Sequence, residues 1–389
     1  MTTVVVDGRK RRGAATRTSI LDAAERLFSA EGYHATSLRS IATEVGMSHA
    51  GVIKHFKGKG ELLVAVLQRL GHRNEAYTAT LAELPSEERL LRVAEYIISK
   101  PATVQVIVAL LGDAVEEEHP GHSYVTELID SAEEAIGTDA LAVWNGLQLL
   151  SLYLPDRIDA PRALMSFIAS EGRAVADNPP AEVHAPLKHD TPNASPNRED
   201  QIVAVASAAF ARHGYRATGL REIAAELELT HSALLYHFPS KVDLLTAVLA
   251  ERDRDEGLPW SLGSEPLDYL NGLHLQALHN EGHPELSRLF STLACEATDP
   301  GHPAHGYFVG RYEVFHKELR DALTTLMTHG LARHDLDVEL EAWLLIALWD
   351  GLALRQFYRE DGARLPEVIL KRLNSLLKVK LDHTSITTG

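Results

Sequence analysis

The stretch EGYHATSLRSIATEVGMSHAGVIKHFKGKGELL, residues 31–63, is followed later by a near copy, RHGYRATGLREIAAELELTHSALLYHFPSKVDLL, residues 212–245. Gly32 aligns with Gly214, and this spacing of 182 residues then holds without a gap across glycine, histidine, aromatic and leucine positions. Ungapped agreement among residues of such different chemistry indicates an internal duplication, because a shared helical composition would not reproduce it.

The duplication extends beyond this stretch. WNGLQLL, which begins at Trp144, matches WDGLALR, which begins at Trp349, at a spacing of 205 residues, so the second copy holds 23 more residues before this landmark. We call residues 17–173 copy one and residues 199–378 copy two. The proline-rich segment between them is expected to be an extended linker, because proline interrupts regular structure.

Copy one has the pattern of a chain of short helices. Apolar residues recur at helical spacing from Ile20 to Phe28, and Gly32 then supplies the positive φ that ends a helix. Thr36 is expected to cap a second helix over residues 37–45, because its hydroxyl can accept a bond from a free backbone N–H.

A glycine turn separates this second helix from a third. Gly46 turns the chain, and Ser48 is expected to cap the third helix, which makes a helix-turn-helix. Copy two repeats the pattern with Thr218 and Thr230 as expected caps, but Glu228 replaces the turn glycine and is expected to strain the turn. The rest of the chain has helical spacing without strand-like alternation, so we predict an all-α fold.

The pattern G-Y-x-x-T-x-L-R-x-I-A, followed by a short helix ending in H-F and by K-x-x-L-L, resembles the DNA-binding domain of the TetR/AcrR family of bacterial repressors. Both copies match it. EATDPGHPAHGYFVGRYE, residues 296–313, and ALWDGLALRQFY, residues 347–358, are similar to the family's ligand-binding and dimerisation domain, which copy one matches only loosely. The resemblance implies a homodimeric repressor that releases its operator on binding a small molecule. A family member usually has one such unit, whereas this chain has two.

The resemblance also implies a domain organisation. Each copy is expected to combine a three-helix helix-turn-helix domain with a helical ligand-binding and dimerisation domain, and the copies are expected to form a pseudo-dimer within one chain, with further homodimerisation as an open alternative. The expected boundaries are a basic arm at 1–17, helix-turn-helix domains at 18–66 and 198–248, helical C-terminal domains at 67–175 and 249–380, and a linker at 176–197. We call residues 18–66 head one and residues 198–248 head two.

A recognition helix in the major groove offers side chains to base edges and phosphates. For the threonines and Ser48 the alternative role is helix capping, and for the two histidines that end these helices it is packing. The basic arm could enter a minor groove, and the alternative for it is a solvated tail. The expected DNA-binding residues are Arg9, Lys10, Arg11 and Arg12 in a flexible arm; Thr36, Ser48, His49, Ala50, Lys54, His55 and Lys59 in head one; and Thr218, Thr230, His231, Ser232, Tyr236, His237 and Lys241 in head two.

The charge distribution differs between the heads. The net charge of −16 argues against nucleic acid when taken alone, but the basic residues cluster in the arm and around the first helix-turn-helix. In head two, the acidic residues Glu222, Glu226 and Glu228 surround the helix-turn-helix. The sequence therefore suggests that head one holds DNA more strongly than head two.

The C-terminal core of copy two is expected to enclose an apolar pocket for a small-molecule effector of unknown identity. Core packing is the alternative role for its expected lining residues. The histidine pairs in HPGH and HPAH fall in loops without a third ligand, so no metal or other cofactor is expected. The expected lining residues are Leu273, His274, Leu293, Phe308, Arg311, Tyr312, Phe315 and Trp349.

The sequence lacks the signals of an enzyme. It contains no G-x-S-x-G elbow, no phosphate-binding glycine loop and no H-E-x-x-H motif, and the single cysteine, Cys295, fits a helix core better than a nucleophile. One cysteine and no long apolar run favour a cytoplasmic protein. We therefore expect a DNA-binding transcriptional regulator, and the alternative is a protein-interaction or ligand-binding module in which one head no longer binds DNA.

Overall fold

The computed structural model describes residues 3–171, 181, 197–255, 265–359 and 364–381, with the backbone alone at residues 3–10, 34 and 252–255. These residues form helices and no strand, with one isolated antiparallel bridge between Ala332 and Leu377. The predicted all-α fold is confirmed. The predicted linker at 176–197 lies almost entirely outside the described residues.

The helices of the two copies follow the same order. Copy one contains α1 (Thr3–Ala35), α2 (Leu38–Glu44), α3 (His49–Ile53), α4 (Lys59–Ala79), α5 (Ser86–Ile98), α6 (Pro101–Asp113), α7 (His122–Ile136), α8 (Thr138–Tyr153) and α9 (Ala160–Glu171). Copy two contains α10 (Arg198–Ala217), α11 (Leu220–Glu226), α12 (His231–His237), α13 (Lys241–Asp255), α14 (Pro266–Gly282), α15 (Pro284–Glu296), α16 (His305–Thr328), α17 (Val338–Arg355) and α18 (Leu365–Leu376).

The first helix of each head bends where the glycine was expected to end it. Gly32 in α1 and Gly214 in α10 both have a φ of 77°, which favours glycine because a Cβ is strained there. The small core of head one then closes with Phe56, Leu62 and Leu63 fully buried.

The predicted cap of the second helix is wrong by one residue. Ser37, not Thr36, caps α2: its hydroxyl accepts from the N–H of Ser40, whose own hydroxyl accepts from the N–H of Ser37. In head two Gly219 takes this position and offers no side-chain bond. Thr218 is therefore not the N-cap of α11, and α11 begins without the capping box of α2.

The caps of the recognition helices are confirmed. The Ser48 hydroxyl accepts from the N–H of Gly51 at 3.1 Å, and the Thr230 hydroxyl accepts from the N–H of Ala233 at 3.1 Å. Each satisfies one N–H that the helix start leaves without a partner in its own helix.

The turn before α12 shows the strain that the sequence suggested. Glu228 has a φ of 55°, whereas Gly46 holds the equivalent position in head one at 66°. We expect Glu228→Gly to stabilise head two by about 1 kcal/mol, because the left-handed conformation costs a residue with a Cβ about that much. Gly46→Glu should destabilise head one by a similar amount. Urea denaturation of the full chain checks both, and a Glu228→Gly variant that unfolds at lower urea would contradict the assignment of strain.

The chain divides into two compact units, Met1–Ser131 and Ala132–Gly389. The second unit takes in α8 and α9 from copy one together with the whole of copy two. In this unit α8 and α9 pack with α17 and α18 as a four-helix bundle. The last two helices of copy one are therefore built into the core that contains copy two.

The crossing of α8 and α17 is close and reciprocal. A Cβ added to Gly146 would lie 2.0 Å from the carbonyl oxygen of Ala347, and a Cβ added to Gly351 would lie 1.7 Å from that of Ala142. Gly146 and Ala142 align with Gly351 and Ala347 at the spacing of 205 residues. Each helix thus presents the same patch to the other, which is the pattern of a two-fold interface.

Polar contacts flank this crossing. Arg355 at the end of α17 forms an ion pair with Glu133, and Lys371 of α18 forms one with Asp139 at 3.0 Å. The buried Arg372 of α18 donates to the hydroxyl of Ser170 in α9 at 2.8 Å. These bonds join residues of copy one to residues of copy two within the second unit.

Among the described helices, none alone has the length and apolar composition of a membrane span; α5 and α6 meet that test only as a pair bent by 90°.

Candidate nucleic-acid interface and effector cavity

The recognition helix of head one keeps its predicted DNA-contact residues at the surface. Ser48, His49, Ala50 and Lys54 are exposed, and His55 is half-buried. Between them, Val52 is buried and fixes α3 against the head core. The helix therefore presents one polar, partly basic face to solvent, which is the arrangement that groove contact requires.

Arg17 holds the end of this helix, a role that the sequence had not suggested. Its Nη1 donates to the carbonyl oxygen of His55 at 2.8 Å, and its guanidinium lies 4.0 Å from the centroid of the Phe56 ring. This cation adds positive charge beside the candidate DNA-contact residues.

Head two keeps the same exposure with a different charge. Thr230, His231, Ser232 and Tyr236 are exposed, and His237 is half-buried. Tyr236, 86% exposed, stands at the position that Lys54 holds in head one.

An acidic residue in head two replaces Arg17. Glu199 stands at the equivalent position, and its carboxylate lies 3.5 Å from Nδ1 of His237. A carboxylate beside a candidate phosphate contact opposes an approaching phosphate, so the structure adds to the predicted charge difference between the heads.

The expectation that Thr36 and Thr218 touch DNA is wrong. Each side chain is 1% exposed. The Thr36 hydroxyl donates to the carbonyl oxygens of Leu27 and Gly32, and the Thr218 hydroxyl makes the same bonds to Ala209 and Gly214. The threonines close the bend after the first helix of each head, and no duplex can reach them.

Lys59 and Lys241 brace the same bends. Nζ of Lys59 donates to the carbonyl oxygens of Tyr33 and Thr36 at 2.7 and 3.0 Å and lies 4.2 Å from the centroid of the Tyr33 ring. Nζ of Lys241 lies 4.3 Å from the centroid of the Tyr215 ring. Burial lowers the pKa of both lysines. Both stay half-buried, and a phosphate contact from either remains a prediction.

The predicted flexible arm is wrong in its conformation. The backbone is helical from Thr3, so residues 11 and 12 lie on α1 rather than in an extended tail. The side chains of Arg11 and Arg12 are exposed. Those of Arg9 and Lys10 lie outside the described side chains. Contact of this helix with DNA remains a prediction.

A carboxylate joins each head to the helical core behind it. In copy one the Asp113 carboxylate, at the end of α6, accepts from the N–H of Tyr33 at 2.9 Å. In copy two the Glu296 carboxylate, at the end of α15, accepts from the N–H groups of Tyr215 and Arg216 at 2.5 and 2.6 Å. These bonds connect the ends of α6 and α15 directly to the bend in the first helix of each head.

The histidines of the HPGH and HPAH loops support these junctions. His119 packs edge-on against Tyr33 with ring centroids 4.5 Å apart, and His302 packs against Tyr215 at 5.0 Å. Burial, with the nearby charge of Arg216, lowers the pKa of His302 to about 3, so this ring is neutral at pH 7. Its Nδ1 accepts from the N–H of Ala304 at 3.2 Å.

Comparison with known proteins finds family models that match three segments of the chain. The model of the bacterial regulatory proteins of the tetR family matches residues 20–66 and again residues 202–248. The model of the C-terminal domain of BetI-type transcriptional repressors matches residues 308–378. The HTH-type transcriptional repressor Rv3405c of Mycobacterium tuberculosis is 30% identical, over 72% of its own length and 37% of this chain. The chain belongs to the TetR family.

Other relatives of this TetR-family chain are also regulators. The HTH-type transcriptional repressor KstR2 of Mycolicibacterium smegmatis is 27% identical over 75% of its length and 39% of this chain. The structure of the ketosteroid transcriptional regulator KstR2 of Mycobacterium tuberculosis matches over 93% of its chain and 46% of this one, with 27% identity and a TM-score of 0.35. Proteins of this kind are transcriptional regulators and not enzymes. The double match to the helix-turn-helix model supports a tandem duplication of the family unit.

Copy two of this TetR-family chain encloses the expected cavity. Its empty space, with the open mouth included, is about 670 Å³. Five of the eight predicted residues line it, together with others that the sequence had not singled out, including Gln276, Phe290 and Asp350. The predicted lining residues that the structure brings together are Leu273, Arg311, Tyr312, Phe315 and Trp349.

The other three predicted lining residues are core residues, and the prediction for them is wrong. His274, Leu293 and Phe308 are each 0% exposed. Nδ1 of His274 lies 3.1 Å from the carbonyl oxygen of Pro366, which holds α14 against α18. Phe308 packs behind two lining rings, those of Phe290 and Tyr312.

Tyr153 of copy one was missed and lies directly behind the cavity wall. Its hydroxyl donates to the carbonyl oxygen of Ala294 in α15 at 2.6 Å, and its ring lies 5.4 Å from that of Tyr312. Tyr312 in turn donates to the carboxylate of Asp350 at 2.8 Å. No sequence motif predicts this role for Tyr153, because its contacts are with residues far away in the sequence.

Proposed function

We propose that this chain is a sequence-specific DNA-binding repressor that leaves its operator when a small molecule fills the copy-two cavity. The exposed polar faces of α3 and α12, in two heads that both match the family's DNA-binding model, are the observation that carries the proposal. Relatives named as transcriptional repressors support the direction of regulation. Such a regulator works beside bacterial DNA, in the cytoplasm, and needs no metal or other cofactor.

We further propose that one chain forms the pseudo-dimer that other family members form from two. The reciprocal crossing of α8 and α17 supports this, because it repeats a two-fold contact inside one polypeptide. Dimeric helix-turn-helix proteins read half-sites about 34–36 Å apart. Since the two heads differ, the operator need not be a palindrome.

Light scattering tests the assembly. A pseudo-dimer that acts alone has the mass of one chain, 42.7 kDa. A dimer of chains with four heads would have twice that mass and would replace the single-chain proposal.

A mobility-shift titration with the promoter DNA next to the protein's own gene tests DNA binding. We expect a specific complex whose association constant falls with salt, with a log–log slope of about −0.9 for each neutralised phosphate. A scrambled duplex of equal length is the control. Equal binding to both duplexes, or no binding at low salt, would contradict the proposal.

A protein-interaction or ligand-binding module is the second candidate. The acidic surroundings of head two favour it for that head alone, since Glu199 faces His237 and Tyr236 replaces a lysine. Footprinting distinguishes the candidates: a regulator with two working heads protects two segments, whereas one protected segment would assign head two another role.

A further inference from the structure

The cavity in copy two has one cationic side chain among its described lining residues, Arg311. Its guanidinium lies 4.9 Å from the ring centroid of Phe290 and 4.6 Å from that of Phe315, two other lining residues. Cation–π contact with both rings fixes the position of the charge in the wall. Arg311 is half-buried, so a ligand entering from solvent can meet it.

The remaining lining is apolar apart from Gln276, Tyr312 and Asp350. Leu273, Leu319 and Ile369 are among the buried apolar residues. Asp350 is 8% exposed, and its carboxylate accepts from the hydroxyl of Tyr312. The cavity thus offers a mostly apolar lining with a positive charge fixed in its wall.

Copy one has lost the charged and phenolic side chains of this cavity. His122 begins α7 as His305 begins α16, and Trp144 aligns with Trp349, so equivalent positions can be read from these landmarks. The counterparts of Arg311, Tyr312 and Asp350 are Leu128, Ile129 and Asn145. Helix α7 has 15 residues where α16 has 24, so copy one also lacks part of the wall.

We infer that each chain senses one effector molecule, an apolar monoanion held in the copy-two cavity with its anionic group on Arg311. This rests on the proposed function only in calling the ligand an effector. An anion gains charge-assisted hydrogen bonds from the guanidinium, and the apolar walls remove the rest of the molecule from water. A cation would meet Arg311 as a like charge, and the Asp350 carboxylate that could attract it is only 8% exposed, whereas Arg311 is half-buried.

Copy one takes part in the response through Tyr153. The ring of Tyr153 contacts Tyr312, which lines the cavity, and its hydroxyl holds α15 two residues before Glu296. A ligand that displaces Tyr312 therefore acts on α8 of copy one as well as on α15. One binding event in this cavity therefore reaches helices from both copies.

A matched set of fluorescent probes tests the inference on the full chain without DNA. The set is pyrenebutanoate, pyrenebutanol and pyrenebutyltrimethylammonium, which share one apolar body and differ in charge. We expect pyrenebutanoate to bind at one molecule per chain, about tenfold or more tighter than the alcohol, as a hydrogen-bonded ion pair provides, with the ammonium compound weakest. Two equal sites per chain, a preference for the ammonium compound, or no binding of any probe would overturn the inference.

Substitution of Arg311 locates the site. Arg311→Leu copies the residue of copy one and should abolish the preference for the carboxylate, while Arg311→Lys should retain most of it. Leu128→Ala is the control at the equivalent position of copy one and should change nothing. Unchanged carboxylate preference in a folded Arg311→Leu variant, checked by circular dichroism, would overturn the inference. Because the probe experiments contain no DNA, a failure to bind the probes does not affect the proposal of DNA binding, which the mobility shift tests separately.

Discussion

Gly351→Ala is expected to destabilise the second unit by at least about 3 kcal/mol, the upper end for overpacking a core. A methyl group at this position would lie 1.7 Å from the carbonyl oxygen of Ala142. That atom belongs to the backbone of α8 and cannot rotate away as a side chain can. The two helices would have to separate along their whole crossing, and the buried residues around it would lose contacts.

Urea denaturation followed by tryptophan fluorescence measures this loss. The four tryptophans of the chain all fall within Ala132–Gly389, so their emission reports the second unit. Gly146→Ala should behave similarly, since its Cβ would lie 2.0 Å from the carbonyl oxygen of Ala347. Unfolding of Gly351→Ala at the wild-type urea concentration would show that the helices do not cross as described.

Gly310→Ala supplies the matched control. Gly310 lies in the interior of α16 with a negative φ, and no atom comes within 4 Å of an added Cβ. The change should leave the second unit unaffected or stabilise it by about 0.5–1 kcal/mol, because alanine favours the helix. A loss here comparable to that at Gly351 would attribute the effect to any glycine substitution rather than to the crossing.

Lys54→Glu is expected to weaken operator binding by more than about tenfold and to reduce the salt slope by about one, the effect of losing one phosphate contact. Lys54 is exposed at the end of α3, beside Arg17 and within a head whose basic residues outnumber its acids around the helix-turn-helix. The reversal replaces attraction with repulsion at the point where a duplex would approach.

Tyr236→Glu places a glutamate at the equivalent position of head two, where the charge changes by one instead of by two. We expect a smaller loss, because Tyr236 makes no ionic contact with phosphate and Glu199 already gives that surface a negative charge. Mobility shifts over a range of salt concentrations compare the two variants. Equal losses would contradict the inequality of the heads. Lys59 is a poor choice for this comparison, since its ammonium also braces the bend at Tyr33.

The sequence was sufficient for the repeat, the bends at Gly32 and Gly214, and the caps at Ser48 and Thr230, because these depend on residues a few positions apart. Thr36 shows the limit of that reasoning. A threonine near a helix start can accept a bond from the helix that follows or donate to the one before, and the neighbouring Ser37 takes the first role. The choice between them depends on the bend, which brings the carbonyl of Gly32 within reach.

The cavity was predicted only in part for a different reason. Helical spacing identifies buried faces, but it does not distinguish Tyr312, which faces empty space, from Phe308, which packs behind it. The family resemblance indicates that the helices containing WNGLQLL and WDGLALR join the two copies, but it does not indicate which residues meet. Tyr153 meets α15, and Gly146 meets α17, through pairings that no local pattern encodes.

The crossing of α8 and α17 also changes how the protein responds to its own abundance. Two separate subunits dissociate on dilution and can exchange with related subunits in the same cell. Expression level therefore affects both the assembly of the dimer and its binding to DNA. Here both helices belong to one polypeptide, and their association is intramolecular at a fixed effective concentration. In the single-chain regulator that we propose, a few molecules per cell therefore form this contact as readily as many, without exchange of subunits with related regulators.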